Sequence, residues 1–195
     1  MPNVHEGKAR RADAVRNRDG ILDAALELFL ENPRANMAEI ASAAGVGRVT
    51  LYGHFASRTE LMDVLFERTV TRAEEQLSRL DLEGDPAAAL ERLVVSSWRI
   101  VDAFHRLLGA AEYELSPDRI REHHHKPMQR VSQLIARGRS EGAFRNDQPV
   151  GWLTACFYAL LHTAASEVRT GRLAEADAQS AVVASIAAVL ASQTA

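Results

Sequence analysis

Three groupings of side chains in this sequence have the composition for chemistry. The run His123-His124-His125 offers imidazoles to a metal, Cys156 and His162 offer a thiol and a base, and AGVGRVTLYGHF, residues 44–55, sets Arg48, Val49, Thr50, Tyr52, Gly53 and His54 around one short helix. The first two fail on helical geometry. Consecutive helical residues do not share a face, so at most two of the three imidazoles reach one ion, and no Cys or His stands at metal spacing nearby. The triplet is expected to be a solvated run before a helix restarts at Pro127. Cys156 and His162 lie six apart, on different sides of one helix, so Cys156 is expected in the core. With no Gly-rich phosphate loop either, no catalytic residue, metal or cofactor is assigned, and the chain is not expected to be an enzyme. The third grouping stands. Leu51 and Phe55, four apart, point inward and leave outside a mixture of residues unlike a merely solvated face.

The elements that must present this face are helical. Ala, Leu, Glu and Arg dominate, apolar spacings are three and four, and no alternating run is long enough for a sheet, which predicts an all-α fold. Ile21, Ala25, Leu28 and Phe29 make one stripe, ended by Asn32-Pro33. Asn36, with Glu39 as its capping-box partner, opens a short second helix whose buried side is Ile40, Ala41 and Ala44. Gly45, free to take the left-handed conformation, stops it. Gly47 caps a third helix over Arg48 to His54, and Ser57-Arg58-Thr59-Glu60 forms a second capping box opening a long helix toward Leu80. Two short helices joined by a tight Gly turn have the layout of a helix-turn-helix.

The string NMAEIASAAGVGRVTLYGHFASRTELM resembles the DNA-binding segment of the tetracycline-repressor (TetR) family of bacterial transcription regulators. Its Ile40-Ala41, Ala44-Gly45-Val46, Thr50-Leu51-Tyr52, His54-Phe55 and Arg58 fall on the family pattern, and the likeness is tight over roughly residues 18 to 66. By match to that motif, Arg48, Val49 and Thr50 approach bases, while Tyr52, His54 and Arg58 hold phosphates. Side-chain chemistry agrees. Tyr and His donate to a phosphate oxygen without reading sequence, whereas a Thr methyl, a Val or an Arg in the major groove distinguishes base edges. The chain departs from the pattern at Gly47, which replaces a hydroxyl cap, and at Gly53, which replaces a side chain that commonly faces DNA and costs the helix about 0.5–1 kcal/mol.

Composition bounds the rest. At 195 residues, 47% hydrophobic and 25% charged, the chain can bury a sizeable core, and its net charge of -3 gives no global basic signature. Charge is uneven, however: Lys8, Arg10, Arg11, Arg16 and Arg18 face only Glu6 and Asp13, which predicts a flexible basic arm over 1–18 able to follow a phosphate backbone. One cysteine excludes an internal disulfide framework, and the N-terminus lacks the apolar core of a signal peptide, so the expected compartment is the cytoplasm. PVGWLTACFYALLHTAAS approaches a membrane span in length but carries Gly, His and hydroxyls, and reads as a buried helix with no membrane role.

The expected organisation is a helix-turn-helix domain over 19–66, a fourth helix to about 80, and an effector-binding and dimerisation domain over 82–195. Asp85-Pro86 restarts the chain; helices follow through Trp98 to His105, from Leu107 to Leu115, from Pro127 to Gly138, from Asp147-Gln148-Pro149 to near Gly171, and from Asp177 through Ile186. The helix over 150–165 is apolar nearly all round and the last is apolar on two sides, so each needs a second surface. A homodimer joined through helices near 150–168 and 177–192 satisfies both, and the resemblance implies it as well. Trp98, Phe104, His105, Tyr113, Met128, Phe157, Tyr158 and His162 are candidates to line a largely apolar effector pocket, which itself rests mainly on the resemblance. The resulting expectation is a repressor that binds a pseudo-palindromic operator duplex and is released by a small molecule. The competing reading is a helical interaction module whose helix-turn-helix binds no DNA, and salt-dependent duplex binding separates the two.

Overall fold

The computed structural model describes the backbone of residues 4–192 and the side chains from Val15 to Ser192. Among the described residues there are nine α-helices, and extended pairing is confined to an isolated bridge between Phe144 and Ala191. The chain divides into two compact units, Met1–Thr69 with Arg106–Ile120, and Val70–His105 with Arg121–Ala195. This differs from a division near residue 82. The second unit begins earlier, and the first takes back a segment from the middle of the chain.

The first unit holds α1 (Val4–Glu31), α2 (Met37–Ala43), α3 (Arg48–His54), the start of α4 (Arg58–Leu77), the end of α5 (Pro86–Glu114) and the start of α6 (Pro117–His123). Residues 4–18, expected as an arm, are the first turns of α1, because Ala, Arg and Lys are strong helix formers and no proline separates them from Ile21. The capping box opening α2 is present: Asn36 Oδ1 accepts from the Ala38 and Glu39 N–H groups, and Glu39 Oε2 accepts from the Asn36 N–H at 2.7 Å. At the other end Gly45 takes φ 64°, its N–H reaches Ser42 O at 3.1 Å, and Val46 N–H reaches Ala41 O at 3.0 Å. This Schellman turn satisfies two end carbonyls and points the chain into α3. At α4 the Glu60 N–H donates to Ser57 Oγ, while Glu60 Oε2 accepts one residue further back than predicted, from Ala56 N–H. Ile21, Phe29, Ile40, Leu51, Phe55 and Leu65 fill the core of this unit, all at or below 1% exposure.

In the second unit α7 (His125–Ser140), α8 (Val150–Arg169) and α9 (Glu175–Leu190) join the remaining turns of α4 to α6 around Leu93, Trp98, Ile135, Phe157, Leu161 and Ile186. The two helices expected over 86–105 and 107–115 are one, α5, and the helix α6 was not anticipated although Ser116 caps it and Pro117 opens it. Asp147 does not cap α8; both its oxygens accept from Arg145 at 2.7 Å, which holds its carboxyl at about 2. α8 resolves its all-round apolar character into two faces. Leu153, Phe157 and Leu161 point inward, whereas Gly151, Trp152, Ala155, Ala159 and Thr163 are exposed. α9 repeats the division, with Val182, Ile186 and Leu190 buried and Ala176, Ser180, Ala184 and Ala188 exposed. Among the described residues no helix is long and apolar enough to cross a membrane.

Candidate nucleic-acid interface

A seven-residue helix has little with which to anchor itself. In α3 only Leu51 is buried, and Phe55, its C-cap residue, adds a second anchor whose ring lies 5.0 Å beneath the Arg18 guanidinium. Everything else in α3 turns outward: Arg48, Val49, Thr50, Tyr52 and Gly53 are exposed, with Val49 at 89% and Tyr52 at 51%. His54 is half-buried, its ring 6.4 Å from that of Phe55. Gly47 supplies no side-chain cap, as its composition requires, and nothing lies within 4 Å of the space a Cβ would take at Gly53. The helix therefore presents one contiguous surface of apolar, hydroxyl and cationic groups, the mixture that base edges and phosphates accept.

Arg58, expected at a phosphate, is turned the other way. Its Nε donates to Ala35 O at 2.8 Å, Nη2 to Pro33 O at 2.9 Å and Nη1 to Glu114 Oε1, and the guanidinium lies 5.2 Å over the Phe29 ring. With three of its five N–H groups engaged and 18% of the side chain exposed, it is an internal tie. The sequence could not show this because Glu114 is 56 residues away.

The pocket residues scatter. Tyr113 is 80% exposed and belongs to the first unit, which removes it from any cavity in the second. Trp98 and Phe157 are buried in the second unit's core, while Phe104, His105 and Met128 are half-buried. His105 Nδ1 lies 2.7 Å from Asp102 O, to which it donates, and Nε2 is buried without a partner. His162 does sit in a cluster, stacked on Tyr158 at 6.3 Å, with His124 edge-on to both at 6.2 and 6.1 Å. His124 is thus drawn inward, and of the expected solvated run His123 is half-buried as well, leaving His125 exposed. Burial, and secondarily His124, lowers the His162 pKa to about 4, and burial beside Glu74 raises that of Tyr158. Glu74 pairs with Arg130 across α4 and α7, leaving Glu74 Oε2, Arg130 Nε and His162 Nδ1 buried without partners. No spacing in the sequence signals these two, again 56 residues apart.

Residues 21–65 match the profile of bacterial regulatory proteins of the tetR family. The transcriptional repressor LfrR of Mycolicibacterium smegmatis is 26% identical over 170 residues, 87% of this chain and 86% of LfrR. The uncharacterized HTH-type transcriptional regulator TtgW of Pseudomonas putida is 35% identical over 101 residues, 48% of this chain and 67% of TtgW. Among solved structures, a TetR-family regulator from Rhodococcus superposes with a TM-score of 0.77 at 19% identity, covering 89% of this chain and 98% of that one. LfrR in complex with proflavine superposes with a TM-score of 0.70 at 24% identity, covering 90% and 96%. The two-turn helix held between a Schellman turn and a capping box thus lies inside the segment that matches the family profile, and the chain belongs to the TetR family.

Proposed function

We propose that this regulator is a repressor that reads operator DNA with α3 and releases it when a small molecule occupies the second unit. The observation that carries the reading is the outward face of α3, where Val49 and Tyr52 remain exposed beside Arg48 and Thr50 on a helix that buries one residue. Arg48, Val49 and Thr50 face bases, and Tyr52 and His54 face phosphates; Arg58 drops from this set because its donors are engaged inside the unit. The protein works as a homodimer through the exposed small-residue faces of α8 and α9. Two-fold symmetry then sets two recognition helices about 34–36 Å apart on a pseudo-palindromic site.

Effector binding is supported by the unpartnered interior atoms of Glu74, Arg130 and His162, grouped about Tyr158, which call for an occupant with a few donors and acceptors on an apolar frame. The relative LfrR, solved with proflavine, makes that compound the first to test. Linkage requires that effector and operator weaken each other's affinity by the same factor.

Selection of bound duplexes from a random pool tests the reading at its base. The selected duplex should bind more tightly than random sequence at low and moderate salt. Tyr52→Phe should weaken all sequences similarly, while Thr50→Ala relaxes one base position by about 1–3 kcal/mol. Equal affinity for selected and random duplexes refutes the proposal.

A further inference from the structure

The end of α5 and the start of α6 enter the first unit with both an apolar face and three tethers. Leu107, Ala110, Ala111 and Leu115, at helical spacing, are buried. Arg106 Nη1 donates to Leu30 O, in the last turn of α1, at 2.9 Å. Glu114 accepts from Arg58 Nη1 and, at 3.1 Å, from Thr59 Oγ1, both in the first turn of α4. One turn further on, Arg119 grips Asp63 with two parallel bonds, Nε to Oδ1 at 2.7 Å and Nη2 to Oδ2 at 2.8 Å. A fork of this kind fixes orientation as well as distance. Because Arg58 also ties to Pro33 O and Ala35 O, its guanidinium joins the α1–α2 connection, α4 and α5 at one point.

α3 has one buried residue and is separated from α4 by Phe55, Ala56 and Ser57 alone, so α4 holds its C-terminal end as the Schellman turn after α2 holds its N-terminal end. We infer that Glu114 and Arg119 are positioning residues for DNA binding, which set the presentation of α3 by clamping the first two turns of α4 without touching DNA. The inference rests on the reading that α3 binds DNA, and it assigns the site a determinant outside the helix-turn-helix.

The sign of one substitution tests it. Glu114→Ala removes a negative charge from a DNA-binding unit and places the best helix former in α5, so electrostatics alone predicts tighter binding. Clamping predicts the opposite, a loss of about tenfold, because a half-buried guanidinium loses its counter-charge and α4 its tie. The assay is fluorescence anisotropy of the full-length protein on a duplex selected from a random pool by the wild type, over a salt series. Affinity should fall while the slope of log K against log salt is unchanged, since no phosphate contact is lost. A second pair guards against simple misfolding: Asp63→Arg should abolish tight binding, and Asp63→Arg with Arg119→Asp should restore it to within about threefold by re-forming the pair in reverse. Unchanged or tighter binding by Glu114→Ala, a reduced salt slope, or no rescue by the double swap overturns the inference. A wild type that selects no duplex overturns instead the reading on which it rests.

Discussion

Gly138 and Gly53 both lie inside helices, and the structure assigns opposite signs to their replacement by alanine. A Cβ at Gly138 would meet the Phe144 ring at 2.1 Å from Cδ2, 2.3 Å from Cε2 and 2.9 Å from Cγ. The ring cannot drift aside cheaply. Phe144 is 5% exposed; its own N–H and that of Ala143 donate to Gly138 O at 3.1 and 2.8 Å; and the next residue donates to Leu190 O at 2.9 Å. Overpacking of this kind costs about 1–3 kcal/mol, and expelling the ring costs about as much in lost burial. Against this stands the gain of about 1 kcal/mol from replacing Gly in a helix. Contacts this short lie at the top of the steric range, so the net loss is about 2 kcal/mol. Both tryptophans, Trp98 and Trp152, belong to the second unit, so urea unfolding followed by their fluorescence reports the change where it occurs. With a slope of about 2 kcal/mol per molar, the midpoint should fall by about 1 M. A midpoint at or above that of the wild type refutes the steric argument.

At Gly53 nothing lies within 4 Å, so Gly53→Ala should stabilise the first unit by about 0.5–1 kcal/mol, seen as slower amide exchange across α3. His162 titrates near 4 when folded and near 6.5 when unfolded, so its contribution is complete above pH 6.5 and is lost as pH falls toward 4. Stability measured by urea should be about 2 kcal/mol lower at pH 5 than at pH 7 from this group, and His162→Gln should remove that part of the slope. Ala159→Arg or Ala188→Glu, on the exposed faces of α8 and α9, should give a folded monomer by light scattering with weakened operator binding; a dimer that persists argues against those faces. Ile186 is the wrong place for that test, because at 1% exposure it belongs to the protomer's own core and a charge there unfolds the unit.

Local chemistry was the part of this protein legible in its sequence. Asn36 with Glu39, and Gly45 before Val46, act within one helical turn, so their types and spacing sufficed to define α2 and its exit. The outward set on α3 followed in the same way from the inward pair Leu51 and Phe55. α5 was harder because its buried face changes identity: Leu90, Val94 and Trp98 serve one unit, whereas Leu107, Ala111 and Leu115 serve the other, about a quarter turn round the helix. A stripe that shifts phase reads as two helices. Arg58 misled for a related reason, since an arginine opening a helix beside a recognition element has the same local signature whether it faces a phosphate or a glutamate. Its partner, like those of Asp63 and Glu74, lies 56 residues away. Ser116-Pro117 was a readable start for α6 that the charged run behind it obscured.

The first unit is discontinuous in sequence, and that has a consequence for how it is made. A nascent chain that has emerged only through Thr69 carries α1 to α3 and the start of α4, but lacks Arg106, Glu114, Arg119 and the apolar face between them. At roughly 5–20 residues per second, the segment through Ile120 follows about 3–10 s later. During that interval α4 is unclamped, so the ribosome releases a complete DNA-reading unit only after most of α5 and the opening of α6 have been translated. An N-terminal fragment that ends just beyond α4, whether from an interrupted message or from proteolysis, lacks Arg106, Glu114 and Arg119 and with them the ties to α1 and α4.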